Sequence, residues 1–529
     1  MGAFLSALSV LSKSSPQAVE IEHSQRNVNK FKDYLYIPTD LEKDFEKIIT
    51  HSPDGKIIFV CGSSGDGKSA ILTKYSQKEE FKNIKFHLDA THALTPQYDA
   101  IATLDNLFQN YSNHYIALVI GINIGMIANY IEKGKDDKIK KELTKFLQGE
   151  EYDEGFYFLS FEDKKYSKFN FENNKATSGF TKSLLSLLTA EHNNPFRDAM
   201  TEAELNGDDK IEIINYKFLC IHQVQEVIIE LLVRIRLAKD QFLTTRSLLD
   251  FIFNLLVGPK YIFDNLFTSE NSELINQLKI FDPSLVRAKC TDGFLLEQKL
   301  FLENQDFIEF KETLIKNYDL VCDFSGRSYI RLFYLLNKIS FSNDFHRTFA
   351  NDFQNDTLDY FTVLKLGHEH ESPIDSPFAK DIQSFYRNIL TVAVSKFLNR
   401  NSPFLGTHQL LLSNYNDVLI VSDFKITPSW EEIKNNRSNT FTTFTCSFHL
   451  DKKDESISFV LNINVLELLV RLNKGYRPNK HDKNSVILLE DLVTKIKQRL
   501  ILKKELTFIN KNDVFEVEKD GNHFEVMHK

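Results

Sequence analysis

The chain has 529 residues, a formal net charge of -9 and a 42% hydrophobic fraction. This composition excludes a disordered or fibrous protein, and the length predicts roughly two to four domains. The acidic balance argues against a protein that coats nucleic acid over its whole surface, so we expect any DNA contact to be local or made through a partner.

The N-terminal segment, residues 1–40, opens with the apolar stretch MGAFLSALSVLSKSSP. No basic segment precedes this stretch, so it is a poor secretory signal. Gly2 and Ser6 fit the N-myristoylation pattern, which is short and specifies little. The spacing instead predicts an amphipathic helix that docks on the core or on a partner through one apolar face: Phe4, Leu5, Leu8 and Leu11.

Residues 41–177 alternate between strand-like and helix-like segments. Strands are predicted for KIIFVCG, IKFHLDAT, HYIALVIGINIG and DEGFYFLSF, and helices for KSAILTKYSQKE and PQYDAIATLDNLFQNY. Alternation of this kind predicts an α/β domain with a parallel sheet and flanking helices.

Residues 178–365 are predicted to form a mainly helical, lid-like region, because long segments repeat apolar residues at helical spacing. Residues 366–529 are predicted to form a C-terminal α+β domain, opened by a surface connection, LGHEHESPIDSP. Its strand-like runs are DVLIVSDF, NTFTTFTCSFHL and ESISFVLNINVLELLVRL. A helix, SVILLEDLVTKIKQRLI, and a strand–turn–strand, LTFINKNDVFEVEKDGNHFEVMHK, are predicted to end the chain.

Two features of the sequence bear on the cellular compartment: the length of its apolar runs and the spacing of its cysteines. No apolar run reaches the roughly 18 residues of a membrane span, and Asn123 and Asn129 interrupt the longest one, so we expect no membrane contact. The five cysteines form no CxxC pair, which favours buried, reduced thiols in a cytoplasmic protein: Cys61, Cys220, Cys290, Cys322 and Cys446.

The segment after KIIFVC fits the pattern G-x-x-x-x-G-K-[ST] of a phosphate-binding loop. Its glycines would turn backbone N–H groups inward, and the following helix would direct its positive end at the phosphates. Lys68 would bridge the β- and γ-phosphates and Ser69 would bind Mg²⁺. The sequence thus predicts a P-loop NTPase that binds a nucleoside triphosphate, which the family resemblance given below implies to be ATP, and Mg²⁺ through nine residues: Gly62, Ser63, Ser64, Gly65, Asp66, Gly67, Lys68, Ser69 and Ala70.

Hydrolysis also needs an acid for the metal, normally at the end of a buried strand. Asp89, after IKFHL, is the first choice, as metal ligand and catalytic residue; the alternative is an Asx turn or a helix N-cap. The other acids are interpreted as loop, cap or solvated helix residues: Asp264, Asp423, Glu490 and Asp491.

Two further residues are predicted to serve catalysis. Asn123 ends the strand YIALVIGI, where an amide would hold the attacking water or sense the γ-phosphate. The alternative is a loop Asn with positive φ between two glycines. Arg246 begins a helix after two threonines and would reach a phosphate from a lid; the alternative is a surface ion pair with Asp250 at i, i+4.

The segment GYRPNKHDK, residues 475–483, carries four basic or imidazole side chains beside Tyr476. These side chains would be able to contact a DNA backbone. The favoured interpretation is a helix-to-helix loop, in which Gly475 ends one helix and Pro478 prevents its continuation.

Several segments together resemble the DptF (also called DndF) family: SVLSKSSPQAVE, FKDYLYIPTDLEKDF, CGSSGDGKSAIL with FHLDATHAL, and GYRPNKHDK. The resemblance covers nearly the whole chain in order. It implies an ATPase subunit, similar to AAA+ ATPases, that works with DptG and DptH to restrict DNA lacking a phosphorothioate modification. It also supports Gly62, Gly65, Gly67, Lys68 and Ser69 as nucleotide contacts. The chain departs from the usual pattern in lacking the hydrophobic-Asp-Glu acid pair.

Three functions follow as expectations. The leading one is an ATPase subunit of a DNA restriction complex, active alone or only with its partners and DNA. The second is a nucleotide-binding scaffold or signalling switch with little intrinsic hydrolysis. A small-molecule kinase is weaker, because no second substrate site is evident in the sequence.

Overall fold

The computed structural model describes most of the chain, in two compact units. The first comprises Met1–Asn170, Thr177–Arg236 and Gln241–Gln354, and the second Phe171–Ala176, Leu237–Asp240 and Asn355–Lys529. The described residues are 2–12, 26–51, 54–91, 99–110, 115–148, 150–166, 168–172, 175–208, 210–239, 243–270, 272–302, 304–353, 379–416, 418–435, 443–450, 455–510, 513–520 and 523–529. The predicted connection LGHEHESPIDSP lies outside them.

A four-stranded parallel sheet forms the centre of the first unit. Its strands are β1 (Lys56–Cys61), β2 (Ile84–His87), β3 (Ala117–Ile122) and β4 (Phe156–Ser160), in the order β2-β3-β1-β4. All six residues of β3 are buried, as expected for a parallel strand covered on both faces. The predicted parallel sheet with flanking helices is confirmed, and the carboxyl ends of the four strands share one edge.

Helices cover the two faces of this sheet. One face packs against α3 (Asp40–Thr50) and α4 (Lys68–Ser76). The other packs against α5 (Ala100–Asn110), α6 (Ile124–Lys133) and α7 (Asp137–Gln148). The resulting three-layer arrangement places the turns after β1, β2, β3 and β4 at the strands' carboxyl edge, where ligands of open α/β sheets bind.

The N-terminal helix and the predicted helical region complete the first unit. Helix α1 (Ala3–Leu8) packs on the core through Phe4, whose ring contacts Tyr216 at a centroid distance of 5.3 Å, so the predicted docking on the core is confirmed. The helical region is also confirmed. The remaining helices are α2 (Arg26–Tyr34), α8 (Gly179–Thr189), α9 (Pro195–Asn206), α10 (Lys210–Leu219), α11 (His222–Lys239), α12 (Thr245–Val257), α13 (Ile262–Thr268), α14 (Glu273–Leu278), α15 (Lys289–Lys299), α16 (Gln305–Tyr318) and α17 (Gly326–Leu335).

The second unit is mixed. A short pair, β5 (Asn170–Glu172) and β6 (Lys175–Thr177), precedes the helical region. The helices are α18 (Ala379–Ser384), α19 (Thr391–Leu398), α20 (Trp430–Asn435), α21 (Ile463–Asn473) and α22 (Lys483–Leu500). One antiparallel sheet has the order β11-β10-β9 (Ile457–Leu461, Phe444–His449, Thr427–Pro428). The other has the order β14-β13-β12-β8-β7 (His523–His528, Asp513–Asp520, Glu505–Asn510, Val418–Asp423, Gln409–Tyr415).

Three predictions need correction. The run ESISFVLNINVLELLVRL is not strand throughout: β11 ends at Leu461 and α21 begins at Ile463, because the Asn462 side chain caps the helix. The chain ends in three antiparallel strands rather than two. All five cysteines are free, but Cys290 is exposed, so burial holds for Cys61 and Cys446 only.

Within the described residues, no helix combines the length and apolarity of a membrane span.

Candidate functional site

The loop between β1 and α4 has the geometry that its glycines require. Gly65 and Gly67 have φ of +90° and +103°, in the left-handed region that residues with a Cβ rarely adopt. Gly67 is the N-cap of α4, which begins at Lys68. The chain therefore runs strand–loop–helix, and two glycines with left-handed backbone lie immediately before the positive end of α4.

Lys68 points back into this loop. Its Nζ donates hydrogen bonds to the carbonyls of Gly62 at 2.9 Å and Ser63 at 2.8 Å. Burial lowers the pKa of Lys68, and the carboxylates of Asp66 and then Asp89 oppose that shift. The loop thus surrounds one ammonium group with its own carbonyls, where a bound anion would supply the negative charge that favours the protonated form.

Asp66 connects the loop to Lys168, a residue that the sequence did not predict to lie at this site. One carboxylate oxygen accepts the Ser63 N–H at 2.7 Å, and the other lies 3.0 Å from Lys168 Nζ. Both side chains are nearly buried, with Lys168 10% and Asp66 8% exposed. Lys168 also donates to the Leu243 carbonyl at 3.2 Å. The sequence offers no signal for this pair, because its partners are 102 residues apart.

Glu162 is a second missed residue. It follows β4, the strand beside β1, and its carboxylate accepts the Ser63 hydroxyl at 3.3 Å. Burial raises the pKa of Glu162, a shift that the Ser63 hydrogen bond partly opposes. A signal was present, since Glu162 and Asp163 directly follow the apolar run FYFLSF. An acid therefore does end a strand neighbouring β1, although not on the strand predicted.

Asp89 follows β2, as predicted, and forms the alternative Asx turn. Its Oδ1 accepts the Thr91 N–H at 2.9 Å and the Thr91 hydroxyl at 2.7 Å. Gly121 allows the chain here to approach β3 closely, because a Cβ at Gly121 would lie 2.4 Å from the Leu88 carbonyl oxygen. The Asx turn leaves the Asp89 carboxylate near enough to Lys68 to oppose the lowering of the Lys68 pKa by burial.

Asn123 ends β3, as predicted, but not in a left-handed turn. Its φ is -101°, and it is the N-cap of α6, with Oδ1 accepting the Met126 N–H at 2.7 Å. The alternative of a positive-φ loop residue is wrong, because helix capping requires extended backbone here. The structure places Asn123 at the carboxyl edge of the sheet, and its predicted catalytic role stays a prediction.

Arg246 lies against the loop. Its backbone N–H donates to the Gly65 carbonyl at 3.1 Å, and the Thr245 hydroxyl donates to the Asp66 carbonyl at 3.3 Å. A Cβ at Gly65 would come within 2.9 Å of the Arg246 Cβ. Helix α12 therefore begins in direct contact with the tip of the loop. The alternative ion pair with Asp250 stays a prediction.

The remaining acids serve structure elsewhere. The interpretation of Asp264 as a loop or cap residue is wrong: it lies buried in the first turn of α13 and pairs with Arg331 at 2.7 Å, together with Asp282. Asp423 is likewise not a loop residue but the exposed last residue of β8. Glu490 and Asp491 are exposed on α22, which confirms the interpretation of a solvated helix face.

The GYRPNKHDK segment is confirmed as a helix-to-helix loop. Gly475, with φ +90°, follows α21. Asp482 holds this loop in place, because its carboxylate accepts hydrogen bonds from Tyr476 at 2.8 Å and from Arg471 of α21 at 2.7 Å. Its predicted DNA contact stays a prediction.

The residues expected to bind Mg²⁺ fit an ion that arrives with a nucleotide. The described residues hold no group of three or more His, Cys, Asp or Glu side chains arranged to bind a metal. Ser69 is exposed in the first turn of α4, and Asp89 is half-buried beyond β2. Mg²⁺ is commonly held by one or two protein oxygens together with substrate phosphates, so such a sparse set suffices.

No protein-family model matches this chain, and no curated protein matches it either. Assignment of a function therefore depends on the geometry of the loop at Gly62–Ala70 and its neighbours, and on the motifs quoted above.

Proposed function

We propose that the chain is a P-loop NTPase that binds Mg·ATP at the loop between β1 and α4. The observation that carries this proposal is the strand–loop–helix geometry, with Gly65 and Gly67 in left-handed backbone and the Lys68 ammonium held within the loop. Backbone N–H groups and the positive end of α4 would contact the phosphates. ATP as the nucleotide comes from the motif resemblance.

Each neighbouring residue then has a role in this proposal. Lys68 exchanges the Gly62 and Ser63 carbonyls for the β- and γ-phosphates. Ser69 and Asp89 provide oxygens to Mg²⁺, Asn123 orients the attacking water, and Arg246 reaches the phosphates from α12. The contact between Gly65 and Arg246 supports the last role, because it brings the start of α12 to the loop.

For the cellular role, we propose an ATPase subunit of a cytoplasmic DNA phosphorothioation-dependent restriction complex, working with DptG and DptH on unmodified DNA. Support comes from the segments that resemble the DptF family. The net charge of -9 supports DNA contact through partners rather than over the whole surface.

A second candidate is a nucleotide-binding switch with little hydrolysis of its own. Asp89 Oδ1 is engaged by Thr91, and Asn123 Oδ1 by the first turn of α6. Two of the predicted catalytic side chains, those of Asp89 and Asn123, are therefore already engaged in local structure, which favours binding over rapid turnover.

Nucleotide titration and phosphate release, measured with and without the partner proteins and DNA, test these proposals. We expect Lys68→Ala to weaken Mg·ATP binding at least about tenfold, because a charge-assisted contact is lost. The matched control is Lys82→Ala, an exposed lysine of the same unit. Equal ATP binding by both variants would refute the phosphate loop. Tight binding without turnover under every combination would refute the ATPase and favour the switch.

A further inference from the structure

The five-stranded sheet of the second unit has one strongly apolar face. The strand register places Ile420, Phe508, Phe515 and His528 in one row across four strands, so these side chains project to the same side. Alternate residues of the strands extend that side, which we call the apolar face. Its apolar residues are Tyr415, Val418, Ile420, Leu506, Phe508, Phe515, Val517, Phe524 and Val526, and the polar residues Ser413, Asn510 and His528 lie on the same side.

The nine apolar side chains are not buried. Tyr415, Phe524 and Val526 are 72%, 66% and 62% exposed, and the other six are half-buried. Farther along the same side, Leu410 and Ser422 are buried near α19, which packs on β7. The chain therefore covers one end of this side of the sheet and leaves the apolar face accessible to solvent.

The charges are distributed in the opposite way. The acidic side chains on the outer three strands project mainly to the other side of the sheet: Glu505, Glu516, Glu518 and Glu525. An antiparallel sheet with one solvated face normally presents its polar residues to water and its apolar residues to the core. Here the apolar side is accessible, which is typical of a surface that binds another protein.

The polar residues around the apolar face indicate the partner. Asp513 and Lys519 lie on the same side as Phe515, at opposite ends of β13, and roughly 20 Å separates them along the strand. Asp513 is near His528 within the chain, at 3.6 Å, and both side chains are more than 60% exposed. A second copy related by a two-fold axis that lies between the faces, perpendicular to β13 and level with its middle, would run its β13 antiparallel, which places Asp513 opposite the partner copy's Lys519.

We propose that the apolar face packs against the same face of a second copy of this chain. The contact is isologous, so each copy contributes both members of the Asp513–Lys519 match. Among the described residues of the sheet, no acidic side chain faces another across the centre, because the glutamates project away. Two such faces would pack as the inner layers of a sheet sandwich.

The first test is the mass of the full chain in solution by light scattering and sedimentation equilibrium. We expect a dimer of the 61.4 kDa chain. Val526→Lys should raise the dissociation constant of the dimer at least about tenfold, since it places a charge within the apolar face, opposite the same face of the second copy. Met527→Lys is the matched control: it is the next residue, 53% exposed, and projects to the other side.

The second test addresses the orientation of the two copies. Asp513→Lys and Lys519→Asp should each weaken the dimer, and the double variant should restore affinity to within about threefold of the native chain. A monomeric native chain would overturn the proposal, as would equal effects of Val526→Lys and Met527→Lys. A dimer in which the double variant is no tighter than the single ones would overturn the two-fold arrangement. Circular dichroism of each variant separates misfolding from lost association.

Discussion

The Asp66–Lys168 pair gives the sharpest prediction for the loop, through the substitution Lys168→Met. Methionine keeps the length and packing of the side chain and removes its charge. The Asp66 carboxylate has two partners described above, Lys168 and the Ser63 N–H, and only the Ser63 N–H would then remain. The Asp66 side chain is 8% exposed, so water compensates little for the loss of the Lys168 ammonium group.

Removing one member of a buried ion pair typically costs about 3–5 kcal/mol, because the other charge stays buried. We expect about 3 kcal/mol here, at the lower end, since the Ser63 hydrogen bond remains. The double variant Asp66→Asn/Lys168→Met keeps an oxygen for Ser63 and has no unpaired charge. It should cost only about 1 kcal/mol, about 2 kcal/mol less than Lys168→Met alone, because the two substitutions are coupled.

Hydrogen exchange is the appropriate assay, because Trp430, the single tryptophan, lies in α20 of the second unit and does not report on the loop. A loss of about 3 kcal/mol should accelerate exchange of amides in α4 by about 100-fold. Lys82→Met, at the exposed Lys82–Glu79 pair, should change exchange little. Unchanged protection of α4 in Lys168→Met, or a double variant no better than the single one, would refute the reasoning.

Three further predictions concern the carboxyl edge of the sheet. Asp89→Asn should lower phosphate release about 100-fold while nucleotide affinity changes less than about threefold, as kinetic and binding titrations would show. Asn123→Ala should cost about 1 kcal/mol in chemical denaturation through the lost cap of α6, whereas Asn123→Asp should keep that stability. Burial raises the pKa of Glu162 above its ordinary 4.5, so the folded chain holds that proton more tightly and loses stability as pH rises. Glu162→Gln should therefore be the more stable form at neutral pH and lose that advantage toward about pH 4.5 in thermal unfolding, and a pH-independent difference would contradict this cause.

The α/β sheet was predictable because its strands are buried on both faces. A strand such as β3 must be apolar along its length, which gives a continuous run in the sequence, and the intervening helices show their own period. Strand order was not predictable by this route, since β3 lies between β1 and β2 through contacts distant in sequence. The proximity of Arg246 to Gly65 likewise depends on the packing of α12 and not on any local pattern.

The misses have different physical causes. The signals for a third C-terminal strand and for the Asn462 cap were present, because NKN and DGN mark two turns and Asn before an apolar run favours a helix start. Glu162 also had a signal, an acid after a buried strand. Lys168 had none, because an ion pair across 102 residues is created only by folding.

In the proposed site, nucleotide binding and nucleotide hydrolysis would require different rearrangements of side chains. For a phosphate to bind, Lys68 needs only to exchange two carbonyl contacts, a change within one side chain. In the proposed hydrolysis, Asp89 and Asn123 would act on metal and water while they hold an Asx turn and a helix cap, and Glu162 is bound to Ser63 of the loop. Rearranging these three side chains would alter the turns after β2 and β4 and the start of α6 together. We therefore expect nucleotide affinity to be a property of the chain alone, and turnover to increase when partners or DNA stabilise the rearranged edge.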